Sequence, residues 1–122
     1  MQEVTIMYEE LPIMDRTHAL QACGGYEDIL QEVTEAFLEE SPNFYEKMNR
    51  TCRERDYKEC RIASHGLKSA ARSVGAMRLG EICYAAELAA TNGDGAELLK
   101  AMEAAAPVYT ATLEWFAATQ EP

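Results

Sequence analysis

DYKECRIASHGLKSAARSVG, residues Asp56–Gly75, is the stretch that decides how this chain folds. Asp56 with Glu59 three residues later forms a capping box, the signal that opens a helix. The helix is expected over about Tyr57–Ser73. At about 100° per residue, Cys60, Ala63, Leu67, Ala70 and Val74 fall on one stripe, spaced three, four, three and four. That stripe is the expected core face. His65 points roughly opposite to it and is expected to face solvent. Lys58, Arg61, Lys68 and Arg72 lie within about 60° of His65 by the same arithmetic. Ser69, one turn on, shares the face, and Ile62 flanks it as a lone apolar residue. No acid lies in this exposed stripe.

Working outward, the rest of the chain also reads as helix. Residues 1–14, with Pro12, look irregular or loosely attached, and residues 15–122 read as a single domain. A short helix after Asp15 should stop at Gly24-Gly25. A second is expected from about Tyr26 to Glu40, carried by Ile29, Leu30, Val33, Phe37 and Leu38. Ser41-Pro42 reads as an N-cap followed by proline at the first helical position. The helix it opens should turn Phe44, Tyr45, Met48 and Cys52 inward. Beyond Gly75, a helix over about Ala76–Ala90 carries Leu79, Ile82, Cys83 and Ala86 on one face. Asn92-Gly93 breaks it, and Asp94 with Glu97 forms a second capping box. The last helix should bury Leu98, Leu99, Met102, Ala106, Tyr109, Leu113 and Phe116, with Pro107 inside it as a candidate kink. Short loops force neighbouring helices antiparallel. The expected fold is all-α: an antiparallel up-down four-helix bundle, with two short N-terminal helices covering one end.

Composition narrows the class of function. The chain has 122 residues, enough to bury a core without a disulfide or metal staple. Cys23, Cys52, Cys60 and Cys83 form no C-x-x-C pair and stand at no zinc-ligand spacing from a histidine. No apolar run is long enough to span a membrane, and Met1–Asp15 lacks the pattern of a signal peptide, so a cytoplasmic protein is expected. The net charge of -10 argues against nucleic acid and anionic membrane as partners. Its distribution says more. Lys47–Arg78 holds nine bases against three acids, a net +6, while the remainder carries -16. One surface is reserved for an anionic partner.

Stacked like charges around a histidine are locally unfavourable on a helix, so chemistry must favour them. A neutral imidazole is a good nucleophile near pH 7. Neighbouring cations disfavour its protonation and offset the charge of a phosphoryl group attached to it. These residues suit a phosphoryl carrier.

The segment Ala63-Ser64-His65-Gly66-Leu67-Lys68-Ser69, followed by Val74-Gly75-Ala76, resembles the signature of histidine-containing phosphotransfer (HPt) domains, A-x-H-x-L-K-G and then G-A. Leu79 matches the leucine that follows, and Ala86-Glu87 the L-E pair, with Ala for Leu. Asn92-Gly93-Asp94 resembles the turn before the family's last helix. The likeness spans about Asp15 to Thr119. It implies that His65 is the phospho-accepting histidine, that Lys68 steadies the phosphoryl group, and that Gly75 serves the turn. Ser69 departs from the family's glycine. Lys58, Arg61, Ile62, Ser69 and Arg72 are the candidate partner-docking residues, Arg61 and Arg72 from helix geometry alone.

The resemblance implies a phosphorelay intermediate of two-component signalling. It would accept phosphate on His65 from a receiver-domain aspartate and pass it to another receiver, with response regulators or hybrid histidine kinases as partners. A monomer with no cofactor and no metal is expected. No autonomous kinase activity is expected either: the chain has no P-loop, no kinase glycine-rich loop and no general base beside His65. Three other readings compete. A histidine kinase dimerisation domain would need glutamate where Gly66 stands and proline where Ala70 stands. A di-metal bundle would need Glu-x-x-His pairs pointing inward, yet Ile62 stands three before His65, and Asp15 with His18 has no second copy. A bundle that only binds partners would not need His65 and Lys68 together.

Overall fold

The computed structural model describes residues 8–119, which contain helix and no strand. Five helices follow in order: α1 (Arg16–Ala22), α2 (Glu27–Arg53), α3 (Tyr57–Ser73), α4 (Met77–Thr91) and α5 (Gly95–Thr119). The last four make the antiparallel up-down bundle. Each packs on its chain neighbour, and α2 meets α5 to close the ring. The three connections between them are three residues each, too short for any other arrangement. Both capping boxes form. Asp56 Oδ1 accepts from the Glu59 N–H at 3.3 Å, and Asp94 Oδ1 from the Glu97 N–H at 3.1 Å. The core is built on Phe37, Met48, Leu67, Leu79, Leu98 and Phe116, with the Phe37 and Phe116 rings 5.6 Å apart.

Four expectations need correction. The segments Tyr26–Glu40 and Ser41 onward are one continuous helix, α2, with Pro42 inside it. Ser41 is buried, and its hydroxyl pairs with the Tyr109 hydroxyl of α5 at 2.9 Å, so it is not free to cap. The buried positions Leu30, Thr34, Phe37, Ser41, Met48 and Thr51 keep helical phase straight through the proline. Packing along that face outweighs the one backbone hydrogen bond Pro42 cannot donate. On α5, Leu99 is 53% exposed and Ala106 is exposed, while Ala101, Ala105 and Thr112 are buried. On α3, Ala71 and Ser64 are buried where Ala70 is half-buried. Both helices touch two neighbours, so the buried arc is wider than one stripe and is centred between the two contacts.

Residues 8–14 are held against the bundle rather than loosely attached; residues 1–7 of that stretch lie outside the described residues. Residues 8–10 close a helical turn, and Tyr8 is buried beside Ile82 and Ala105. Arg78 pins the segment: its backbone N–H donates to Pro12 O (3.1 Å), Nε to Leu11 O (2.8 Å) and Nη2 to Glu9 O (3.0 Å). α1 is docked on the α3–α4 turn, where the Asp15 N–H donates to Gly75 O at 2.7 Å. Gly75 sits at φ +83°, and a Cβ there would run into the Asp15 carbonyl oxygen. The turn therefore needs glycine twice over, for its left-handed backbone and for the close approach. α2 and α5, with 27 and 25 residues, overhang α3 and α4, with 17 and 15.

Candidate functional site

His65 lies in the middle of α3 with its side chain 59% exposed, as its phase requires. Gly66, the next residue, lets α2 approach α3 closely beneath it. A Cβ on Gly66 would sit 2.5 Å from Cε1 of Phe44, so the Phe44 ring of α2 occupies the space that any other residue would fill. Lys58, Arg61, Ile62, Ser69 and Arg72 are all exposed on the same helix. Lys68 is not: its side chain is only 13% exposed, folded down between α3 and α4.

The expectation that no acid shares this surface holds along α3 and fails across the helix pair. Glu87 of α4, its side chain 18% exposed, reaches over and bridges two residues. Its Oε2 lies 3.0 Å from His65 Nδ1, and its Oε1 lies 2.6 Å from Lys68 Nζ. Burial raises the Glu87 carboxyl, but the adjacent Lys68 ammonium and the hydrogen bond with His65 outweigh it and hold the group below the usual carboxylate range. Glu87 is therefore ionised. An ionised carboxylate only accepts, so His65 Nδ1 carries the proton that points to it. In the neutral ring the lone pair is then on Nε2, on the far edge, facing solvent.

Other α4 residues complete the surroundings. The Tyr84 ring lies beside both cations, its centroid 5.3 Å from Lys68 Nζ and 5.7 Å from Arg72 Cζ. Arg72 also pairs with Glu81 at 3.6 Å. Leu88 is exposed on α4, as Ile62 is on α3. The sequence reading missed Glu87 as a partner of His65, and missed Tyr84 altogether. Glu87 did stand in the stretch that matched the L-E pair, and that match was the available signal. Among the described residues, no three His, Cys, Asp or Glu side chains stand close enough to hold a metal ion, and no helix is long and apolar enough to cross a membrane.

A four-helix bundle carrying an exposed imidazole, with one nitrogen tied down and a lysine beside it, defines a class built to hold a group on histidine. The family model of the Hpt domain matches residues 32–117, more than half the chain, and the protein belongs to that family, whose role is histidine phosphotransfer in phosphorelay signalling. No curated protein and no solved structure matches the chain.

Proposed function

We propose that His65 accepts a phosphoryl group on Nε2 from the aspartyl phosphate of a receiver domain, and that the same atom returns it to the aspartate of another. The observation that carries this reading is the Glu87 contact with Nδ1, which leaves Nε2 as the free nucleophile. The Nε2 lone pair forms the N–P bond, and the donor's carboxylate leaves with the electrons of the P–O bond. Positive charge then grows on the imidazole, and the Glu87 carboxylate offsets it without taking the proton. Lys68, already beside Glu87 and one helical turn from His65, neutralises part of the charge of the incoming phosphoryl oxygens. Lys58, Arg61 and Arg72 steer an acidic receiver surface toward the site, while Ile62 and Ser69 form its close-contact floor. Residues 15–122 act as the one functional domain, a cytoplasmic monomer and a carrier without kinase activity of its own.

The test is direct. Incubated with phosphorylated receiver domains, the wild-type protein takes up acid-labile phosphate, and His65→Gln takes up none. With ATP alone, neither is labelled. Labelling by ATP, or labelling that survives His65→Gln, overturns the reading.

A further inference from the structure

Lys68 and Arg72 stand one turn apart on α3 and carry the same charge, an arrangement that by itself pushes the two side chains away from each other. α4 supplies what holds them. Gly80 leaves room for the Arg72 stem: a Cβ there would lie 3.0 Å from Arg72 Cγ. Glu81 meets the guanidinium at 3.6 Å. The Tyr84 ring reaches both cations, at 5.3 Å from Lys68 Nζ and 5.7 Å from Arg72 Cζ. An aromatic face attracts cations through its quadrupole and, unlike a carboxylate, adds no negative charge that would repel a phosphoryl group. Tyr84 is itself exposed, so the ring has not been placed there for core packing.

We propose that Tyr84 is a positioning residue of this site, holding Lys68 and Arg72 side by side as a preformed two-cation arm for the phosphoryl group and the acidic receiver that brings it. The proposal rests on the reading of His65 as the phosphoryl acceptor. Lys68 contacts the transferred group, Arg72 contacts the partner, and the ring acts only through them. This gives α4 a function beyond closing the bundle: Glu87 orients the nucleophile and anchors Lys68 at 2.6 Å, and Tyr84 holds Lys68 and Arg72 side by side.

The experiment measures transfer from a phosphorylated receiver domain that serves the wild-type protein, as a second-order rate and as the saturating rate. Tyr84→Leu should lower the second-order rate about tenfold, the loss of two exposed cation–π contacts. Tyr84→Phe, which keeps the ring and loses the hydroxyl, should restore it. Adding Tyr84→Leu to a Lys68→Ala/Arg72→Ala variant should cost nothing further, because the ring then has no cation to hold. A further fall in that triple variant, or a Tyr84→Phe as slow as Tyr84→Leu, overturns the proposal. His65→Gln runs beside them as control. Labelling that survives it overturns the reading of His65 and this proposal with it. Loss of labelling in His65→Gln beside wild-type rates in Tyr84→Leu overturns the proposal alone.

Discussion

Replacing Glu87 by glutamine keeps the shape of the side chain and removes its charge. Two opposed effects follow. The phosphoryl group on Nε2 would no longer feel a carboxylate across the ring; at roughly 7 Å in a water-like dielectric that relief is only about 0.6 kcal/mol. Against it stand the contacts at 3.0 Å to His65 Nδ1 and 2.6 Å to Lys68 Nζ. The hydrogen bond between His65 and the charged carboxylate contributes about 1.5–3 kcal/mol, at the lower end because Glu87 is partly exposed, and the Lys68 ion pair adds up to about 1 kcal/mol. The loss wins, so Glu87→Gln should slow transfer by about tenfold or more, each 1.36 kcal/mol being a factor of ten. It should also lower the melting temperature by about 5 °C, as expected for a loss near 1 kcal/mol in a domain of this size. The pH dependence gives a second reading. The folded-state carboxyl is held below its ordinary value of 4.5, so its stabilisation is complete above that value and is lost as pH falls through the folded one. Wild type should therefore melt above Glu87→Gln at neutral pH and converge with it in acid. Nitrogen NMR of the His65 ring should find the proton on Nδ1 in wild type and redistributed in the variant. Faster transfer in Glu87→Gln, or a wild-type ring protonated on Nε2, would refute the assignment of Nε2 as the nucleophile.

Lys68→Ala should shorten the lifetime of the phosphohistidine and slow transfer by about ten- to a hundredfold, from the same range for a charged hydrogen bond; a wild-type lifetime would remove Lys68 from the mechanism. Gly66→Ala gains about 1 kcal/mol of helix propensity and loses about 1–3 kcal/mol to overpacking against Phe44, so thermal melts should show a net loss, and a rise in melting temperature would mean that the ring yields freely. Ser69→Phe should leave circular dichroism and melting nearly unchanged yet block transfer from a receiver, because Ser69 is exposed one turn from His65; transfer at the wild-type rate would put the docking face elsewhere.

What the sequence made legible was local. Asp56, Asp94 and the period of α3 define helix starts and an exposed His65 without reference to any other part of the chain; the two helix starts and the exposure of His65 stand in the structure, while the buried arc of α3 is wider than its period implied. Pro42 misled because proline carries a strong local preference, while the evidence against it, an unbroken core phase from Leu30 to Thr51, runs over six turns. Leu99 misled for the opposite reason: hydrophobic character was read as burial, but the face of α5 is set by what α2 and α4 offer, and small Ala101 and Ala105 fit there. Glu87 and Tyr84 were beyond periodicity altogether. Their meeting with α3 depends on the register between two antiparallel helices, and neither helix's pattern specifies it.

The unequal helix lengths make the molecule mechanically two-tiered. Around His65 four helices share the load; α1 packs on α2 and α3, and beside the overhanging parts of α2 and α5 an open groove of about 840 Å³ runs between Met14, Leu38 and Trp115. Amides in that overhang have fewer packed neighbours to restrain them, so slow hydrogen exchange should concentrate in the tier that carries the histidine. On the docking proposed above, a partner would meet the half that opens least, and the entropy of ordering the site would be met during folding rather than at each encounter.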